Sequence, residues 1–200
     1  MPPDSLVQIA LFALASLYTP GPNNIMLASS GARFGVRRTL PHLLGVALGF
    51  PLMLFPMAIG LGAVFEQSPL FRDALRLVSA VVMLWIGWKI ATAGRAKTEE
   101  AARPFTFLMA AGFQWINPKA WAMAIAVVGG YMLGRAPLTE AVICAGIFAS
   151  LGLGSATLWT VAGASIRRFL SSEGRIRAFN GAMGLLIAAC AVFLFTDHAP

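Results

Sequence analysis

The stretch from Leu17 to Asn24 reads LYTPGPNN and interrupts an apolar run that begins at Leu6. Proline lacks an amide proton and clashes with the preceding helical turn, so a helix through this run must break near its centre. A broken helix leaves backbone carbonyls and amides without partners. In hydrocarbon such groups are tolerated only where protein or a water-filled cavity satisfies them. The stretch therefore predicts a cavity inside a membrane-embedded fold.

The composition is that of a membrane protein. Hydrophobic residues make up 58% of the 200-residue chain and charged residues 12%, whereas soluble proteins have roughly 45–50% and 25%. Crossing a bilayer takes about 18 apolar residues or more, and six runs are long enough. They are Leu6 to Ala28, Leu40 to Val64, Leu70 to Ala93, Phe105 to Met132, Leu138 to Ala162 and Ala178 to Thr196. The sequence predicts an all-α integral membrane protein with six transmembrane helices in one domain, residues 1–200.

Positive charges are distributed unevenly over the predicted connectors. Of the 15 Lys and Arg residues, eleven fall in connectors one, three and five, three fall on the opposite side, and Lys119 falls inside the fourth run. The eleven are Arg33, Arg37, Arg38, Lys89, Arg95, Lys97, Arg103, Arg167, Arg168, Arg175 and Arg177, and the three are Arg72, Arg76 and Arg135. Because basic residues accumulate in cytoplasmic loops, we expect these connectors in the cytoplasm and both termini on the outer side of the membrane. Topology thus accounts for the net charge of +7 without nucleic acid as a partner.

A weak internal repeat relates two halves of the chain, about 1–96 and 104–200. A shift of about 98 positions aligns Pro20 with Pro118 and Phe50 with Phe148. Each half begins with a proline-broken run and continues with two unbroken ones. Because three spans is an odd number, the second half must enter the membrane from the opposite side. The predicted fold is therefore a 3+3 inverted-topology repeat with broken first and fourth helices, as in secondary transporters.

The second break has the sequence QWINPKAW, from Gln114 to Trp121. Its asparagine is a good N-cap and its proline suits a first helical position. In the first break, Gly21 tolerates unusual dihedral angles. Both second half-helices are expected to start near the bilayer midplane, where their positive ends favour an anion. The predicted substrate-binding residues are Pro20, Gly21, Pro22, Asn23, Asn24, Asn117, Pro118 and Lys119.

Lys119 lies at a depth where ionisable residues are usually functional. It is about 14 residues beyond Phe105, or roughly 20 Å along a helix, too deep for its side chain to reach the surface. A structural role, bonding the carbonyls freed by the first break, would also fit. Two helix N-termini and a lysine suit a carboxylate, and freed carbonyls with Asn side chains suit an ammonium group, so a small zwitterion is the expected ligand. Burial favours the neutral form of lysine, which makes Lys119 the candidate for proton coupling.

Enzyme, metal and cofactor patterns are not evident in the sequence. The eight Asp and Glu residues fall at the ends of runs or in connectors, which disfavours a metal-ion pathway. His42 at the cytoplasmic edge and His198 in the tail are expected to be solvated. Cys144 and Cys190 have no CxxC spacing and are expected to be small core residues. Without a Ser/His/Asp set or a phosphate-binding glycine loop, no enzyme, cofactor or metal site is predicted.

The motifs resemble those of the amino-acid efflux family that includes the lysine exporter and the homoserine/threonine exporter. The matching stretches are TPGPNN (Thr19 to Asn24), the glycines 31, 35, 45 and 49, LWIGWKIATAG (Leu84 to Gly94) and GFQWINPKAW (Gly112 to Trp121). The resemblance implies efflux of small amino acids or close derivatives, driven by the proton gradient. We therefore expect an exporter of the bacterial inner membrane that works by alternating access about a midplane site. TPGPNNI, WKIAT and FQ are most similar to the branch of cysteine and O-acetylserine exporters. Some family members carry Asp where this chain has Asn23, and the missing carboxylate favours neutral amino acids.

Two alternatives remain open. Distant relatives of this fold place cysteines at the broken helices, so a membrane thiol electron carrier is one alternative, although neither cysteine falls there in this chain. A non-transporting membrane scaffold is the other, although a scaffold gains nothing from unsatisfied backbone in lipid. The predicted partners are an amino-acid substrate and the lipid bilayer, and the sequence leaves open whether the protein forms a homo-oligomer.

Overall fold

The computed structural model describes residues 1, 3–93, 103–132, 136–170 and 172–196. These residues form eight α-helices and no strand, so the predicted all-α class is confirmed for them. The helices are α1 (Pro3–Tyr18), α2 (Pro22–Pro56), α3 (Gly62–Gln67), α4 (Pro69–Ala91), α5 (Phe107–Phe113), α6 (Pro118–Tyr131), α7 (Pro137–Ile166) and α8 (Glu173–Thr196). A π-helical turn, Met57–Leu61, joins α2 to α3, and 3₁₀ turns follow α5 and α7 at Gln114–Ile116 and Arg167–Phe169.

Among the described residues, four stretches are long and apolar enough to cross a membrane. They are Pro22–Gln67, Pro69–Ala91, Pro137–Ile166 and Glu173–Val192. Two shorter apolar helices, Asp4–Tyr18 and Phe107–Ile116, precede the two proline breaks. The six predicted runs therefore do not appear as six separate long helices, because the breaks shorten two of them and the second half of the first run is continuous with the second run.

The first run breaks where the sequence predicts. Helix α1 ends at Tyr18, and α2 starts with Pro22 in its first turn. Gly21 before it is extended, with φ −178° and ψ 174°, a conformation open to any residue. The expectation that Gly21 serves unusual dihedral angles is therefore wrong. Glycine is explained by space instead, because an added Cβ would lie 3.1 Å from both Cδ and Nζ of Lys119.

Helix α2 bends sharply at Gly35. This residue has φ 76° and ψ 170°, which lies in the left-handed region that favours glycine. The bend brings Ser30 Oγ within 3.0 Å of His42 Nδ1. In a straight helix these residues would be about 18 Å apart along the axis. The first and second predicted runs thus fold back on each other at Gly35, and the bend coincides with the first basic connector.

The helices pack mainly in pairs, α2 with α7, α4 with α8, α2 with α5 and α1 with α7. Glycine permits the closest contacts, as expected for helices associating in lipid. A Cβ on Gly163 of α7 would overlap the backbone of Ala28 in α2. Gly87 of α4 and Gly184 of α8 face each other, and a Cβ on Gly87 would lie 2.8 Å from the carbonyl oxygen of Gly184.

Apolar side chains fill the interior and also cover much of the outer surface. One buried cluster surrounds Phe148 on α7, and a second surrounds Met83 on α4. Large apolar residues are exposed on several helices: Val7, Leu11, Leu77, Leu84, Trp88, Leu108, Leu185 and Val192. Soluble monomers rarely expose apolar surface on this scale. This surface suits contact with lipid.

The described parts of the basic connectors converge on one end of the molecule. Arg167 lies beside Gly35, and Asn180 Nδ2 donates to the Ala93 carbonyl at 2.7 Å, which joins the end of α4 to the start of α8. Arg72 and Arg76 belong to the opposite end of α4. This grouping agrees with the charge bias, while the direction in which the termini face stays a prediction. The positions Arg95, Lys97, Arg135 and His198 lie outside the described residues.

Candidate functional site at the two helix breaks

The second break follows the predicted capping pattern. The chain leaves the helix at Asn117, whose Oδ1 accepts a hydrogen bond from the Lys119 amide at 3.1 Å. Pro118 occupies the first turn of α6. An Asx cap followed by proline is the arrangement that the local sequence favours. The cap holds the Lys119 amide at the start of α6, and the Lys119 side chain extends to the first break.

Lys119 connects the two breaks. Its Nζ donates to Thr19 Oγ1 at 2.9 Å, to the Thr19 carbonyl at 3.2 Å and to the Pro20 carbonyl at 3.5 Å. An ammonium group has three donors, and all three contacts lie in the first break. The structural role that the sequence left open is therefore present in this structure.

Neighbouring side chains satisfy the other carbonyls that the first break frees. Asn24 Nδ2 donates to the carbonyls of Leu17 and Thr19, both at 2.8 Å. Ser155 Oγ of α7 donates to the Leu17 carbonyl at 2.7 Å. Asn24 thus bonds the end of α1 and does not cap α2, whose N-cap Gly21 has no side-chain hydrogen bond. The break is held by protein groups, as burial in a membrane requires.

Asn23 is paired with Gln114 of the second break. Asn23 Nδ2 donates to Gln114 Oε1 at 2.9 Å, and Gln114 Nε2 donates to the Ala110 carbonyl at 2.9 Å. Gln114 is only 1% exposed. Gln114 and Ser155 are not among the site residues predicted from the sequence. For Gln114 the signal was a polar residue in an apolar run three positions before Asn117, whereas nothing in the sequence indicated that Ser155 would face Leu17.

Two cavities meet at these residues. The smaller, about 40 Å³, lies between α1, α2, α6 and α7, and the larger is about 510 Å³ and lies between α2, α4, α6 and α8. Gly21, Asn117 and Lys119 line both. Each of the eight predicted residues lines at least one of them: Asn23 and Asn24 the smaller, and Pro20, Pro22 and Pro118 the larger. The structure therefore brings all eight together at the junction of the two cavities.

The two cavities differ in chemistry. Among the described residues that line the larger one, the charged ones are all basic: Arg72, Arg76 and Lys119. Arg76 lies 3.4 Å from Asp73, and Arg72 bonds the carbonyl of Glu66. The smaller cavity combines the amides described above with the rings of Phe50 and Phe148. The larger cavity therefore suits an anionic group, and the part of the smaller one away from Lys119 suits a compact uncharged group.

The structure also places the histidine, cysteine and glutamate residues about which the sequence makes a prediction. His42 is 1% exposed, so the prediction that it is solvated is wrong, because the bend at Gly35 folds it against Ser30. Cys144 is buried in the core as predicted, whereas Cys190 is half-buried and lines the larger cavity. Glu140 lies in the first turn of α7, at an end as expected, but it is buried.

Comparison with known proteins gives a consistent result. Residues 14–198 match the family model described as LysE type translocator. The cysteine/O-acetylserine efflux protein of Salmonella typhimurium (strain LT2) is 31% identical over 199 residues, which covers 98% of this chain and 100% of the relative. The protein of the same description from Escherichia coli (strain K12) is 29% identical with the same coverage. No solved structure matches the chain at a significant level.

The matched region includes both helix breaks, the junction of the two cavities and the four long apolar stretches. Translocators carry solutes across membranes and perform no covalent chemistry, in agreement with the apolar outer surface described above. Since the family model spans nearly the whole sequence and the relatives align end to end, the chain is an integral membrane transport protein, not an enzyme, and belongs to the LysE type translocator family.

Proposed function

We propose that this protein exports small neutral amino acids or close derivatives, of the cysteine/O-acetylserine or threonine/homoserine type, across a bacterial inner membrane. Transport proceeds by alternating access and is coupled to the proton gradient. The relatives named as cysteine/O-acetylserine efflux proteins support this substrate class. The observation that carries the proposal is the position of Lys119, which is bonded to the first break and lies between the two cavities.

The contacts of Lys119 suggest how a zwitterion binds. A substrate carboxylate takes the ammonium group of Lys119 as its partner, and the starts of α2 and α6 favour the same negative charge. The carbonyls of Thr19 and Pro20, which Lys119 releases, then accept from the substrate ammonium group. The ligand thereby replaces the contacts between Lys119 and the first break with partners for both of its own charged groups, and it leaves no buried group unpaired. Lys119 lies between the two cavities. When the substrate displaces its side chain from the first break, the two cavities become connected, so substrate binding is coupled to that connection.

The smaller cavity supports a small and uncharged side chain. Its volume is about 40 Å³, room for only a few water molecules, and Phe50 and Phe148 limit it. Asn23 and Gln114, which satisfy each other, present no carboxylate to a cationic side chain. A lysine or arginine side chain would bury an unpaired charge in this space, which is costly. The eight residues predicted from sequence are proposed as the site, together with Gln114 and Ser155.

The inverted repeat is part of the proposal. In the six-span arrangement the first span is residues 6–28 and the fourth is residues 105–132, and residues 1–200 form one domain with halves of about 1–96 and 104–200. Two pairs at or next to the repeat shift support a pseudo-two-fold axis, because the members of each pair are in contact: Phe50 and Phe148 are 98 positions apart, and Gly87 and Gly184 are 97 apart. The rings of Phe50 and Phe148 have centroids 5.0 Å apart, and Gly87 faces Gly184.

Helix starts suggest a small adjustment to the repeat register. Pro22, not Pro20, occupies the first turn of its helix as Pro118 does. Gly163, at the end of the fifth span, lies against Ala28 of the first, and Gly45 of the second lies against Phe107 of the fourth, which is the relation that an inverted repeat requires. With the basic end in the cytoplasm and both termini outside, the larger cavity extends toward the external side, where Arg72 and Arg76 lie.

Neither the positions of the cysteines nor the helix breaks support the two alternative functions, a membrane thiol electron carrier and a non-transporting scaffold. Cys144 belongs to the cluster around Phe148, whereas Cys190 packs on the cluster around Met83. A dithiol carrier needs two neighbouring thiols, with Cα atoms within about 7 Å. A scaffold has no use for two cavities that meet at paired helix breaks.

Transport by the purified protein in liposomes tests the proposal. Radiolabelled O-acetylserine, threonine, homoserine and lysine are loaded one at a time, and their movement is followed with an imposed pH gradient and again with an uncoupler. We expect the three neutral substrates to move, lysine to be retained, and the uncoupler to abolish concentrative transport. Failure to move any amino acid would favour a scaffold, and preferential movement of lysine would refute the neutral substrate class.

A further inference from the structure

A third cavity lies at the basic end of the molecule, between α2, α4, α8 and the segment that precedes α5. Its volume is about 270 Å³, and it shares no lining residue with the two cavities at the helix breaks. The residues that matter for its chemistry are Arg33, Lys89, Arg103, His42, Ser29 and Asn180. They come from four separate parts of the chain, which only the tertiary fold brings together. The pocket is therefore not part of the proposed amino-acid site.

The charged side chains among the described lining residues of this pocket are all basic. Three cationic side chains line it, and no acidic residue is among its described lining residues. Aromatic rings hold two of the cations, since Arg33 Cζ lies 5.2 Å from the ring centroid of Phe34 and Lys89 Nζ lies 5.4 Å from that of Trp85. Such contacts hold a cation against an aromatic face. The pocket therefore attracts an anion.

A buried histidine supplies an unused polar atom. His42 Nδ1 is 3.0 Å from Ser30 Oγ, and its ring is stacked near Phe105 with centroids 5.3 Å apart. Its Nε2 has no hydrogen-bond partner among the described residues, and neither has the hydroxyl of Ser29. A buried polar atom without a partner costs about 1–3 kcal/mol. The Ser29 hydroxyl can donate to a ligand oxygen, and His42 Nε2 does so in the tautomer in which Nδ1 accepts from Ser30 Oγ. Beside Lys89 and Arg103, these two atoms suit a ligand with oxygen acceptors.

The rim of the pocket is apolar and faces outward. Trp85 and Met109 both line the pocket and are each 52% exposed. Trp88, one turn from Trp85, is also exposed, and tryptophans of this kind concentrate at the membrane interface. The occupant therefore combines an anionic head with an apolar body. A free aqueous anion would use the cations but not the rim.

We propose that this pocket binds the phosphate group of an anionic phospholipid, with Arg33, Lys89 and Arg103 around the phosphate and the acyl chains along Trp85 and Met109. Basic pockets between membrane helices bind lipid headgroups through the same combination. The ammonium group of a zwitterionic lipid would be repelled by the three cations. This binding is independent of the proposed amino-acid transport.

Lipid binding is measured on the full-length protein in nanodiscs and by native mass spectrometry after purification in detergent. We expect phosphatidylglycerol to raise the melting temperature and to remain bound, whereas phosphatidylcholine does neither. Arg103→Gln and Lys89→Gln change exposed side chains and should each weaken phosphatidylglycerol binding about tenfold, the effect of losing one charge-assisted hydrogen bond. Arg177→Gln is the matched control, because Arg177 is exposed near the same end but outside the pocket, and it should bind as the unmodified protein does.

Further arms distinguish the sources of the anion. Inorganic phosphate is added to the detergent-purified protein at millimolar concentration, and O-acetylserine is added in a separate sample. If either alone raises the melting temperature as much as phosphatidylglycerol, and Arg103→Gln removes that effect, the lipid assignment is overturned. Equal binding of both lipids, or equal loss in Arg177→Gln and Arg103→Gln, also overturns it. Because these measurements need no transport, their outcome is separate from that of the amino-acid flux experiment.

Discussion

The Nζ atom of Lys119 lies 2.9 Å from Thr19 Oγ1, and this contact joins two helix breaks that are 100 residues apart in the sequence. Each break alone leaves helix ends with unpaired groups in a membrane. Together they satisfy each other, with Asn24 and Ser155 completing the carbonyls of the first break. In the proposed mechanism, the hydrogen bond from Lys119 to Thr19 opens when the two cavities connect.

Replacement of Lys119 separates its charge from its structural role. Lys119→Ala leaves the carbonyls of Thr19 and Pro20 without this donor, so we expect a loss of about 1–3 kcal/mol in stability and complete loss of efflux. Lys119→Gln keeps a donor, so it should fold with nearly unchanged stability and still fail to transport. Thermal unfolding in detergent and liposome flux measure the two effects. Normal transport by Lys119→Gln would exclude the proposed role of the charge.

Pro118→Ala tests the second break. Alanine restores an amide and permits a continuous helix, so we expect the start of α6 to shift and efflux to fall about 100-fold or more, equivalent to roughly 3 kcal/mol. Pro137→Ala is the matched control, because Pro137 occupies the first turn of α7 at an exposed end. Membrane levels of both variants are compared by quantitative blotting. Equal flux in the two variants would contradict a functional break at Pro118.

Gly21→Ala tests the space beside the lysine. The new Cβ would lie 3.1 Å from Cδ and Nζ of Lys119, so the lysine side chain has to move. Because the backbone at Gly21 is extended, we expect a stability change below about 1 kcal/mol together with reduced flux. Gly112→Ala, where an added Cβ meets nothing within 4 Å, should leave flux unchanged. Equal loss of flux in both variants would contradict the explanation that Gly21→Ala acts by displacing the Lys119 side chain.

Gly163→Ala tests the contact between α7 and α2. An added Cβ would overlap the backbone of Ala28, and helices in close contact can relieve this only by moving apart. We expect destabilisation of about 1–3 kcal/mol or more, as for other overpacked sites. Gly146→Ala on the same helix meets nothing within 4 Å and should be neutral or slightly stabilising. Thermal unfolding of the two variants provides the comparison, and equal melting temperatures would refute the close contact.

Cys190 reports on the larger cavity. It lines that cavity and is half-buried, whereas Cys144 is fully buried, so a membrane-impermeant maleimide should label only Cys190. In the proposed topology labelling proceeds from the external side, and excess O-acetylserine slows it. Arg167→Cys should react only from the cytoplasmic side. Cys190→Ala is the control for specificity, and labelling of Cys190 from the cytoplasm alone would reverse the topology.

The two breaks were predictable because their causes are local. Pro22 and Pro118 disfavour the preceding helical turn but suit the first turn of a new helix, and Asn117 caps its helix with its own side chain. Burial of Gln114 and the partner of Ser155 were not predictable in the same way. Their positions depend on which helices pack together, and that is decided by contacts between residues far apart in sequence.

The burial of His42 is another feature that the sequence did not predict, and here the prediction was the opposite of the structure. Its place near a basic connector favoured exposure, and its burial follows from the bend at Gly35, where φ 76° turns α2 back on itself. A glycine permits such a bend but does not require it. The basic pocket beside His42 could therefore not be predicted from the sequence, because its lining residues come together only in the folded protein.

Hydrophobicity, proline positions and the asymmetry of charge belong to the sequence alone, and they determined a helical membrane protein with two broken helices and a basic end. The tertiary structure decided that Lys119 meets Thr19, that the eight site residues surround the junction of two cavities, and that a third cavity gathers three cations. The physical reason is that helix formation and membrane partitioning depend on neighbouring residues, whereas cavities arise from how whole helices pack.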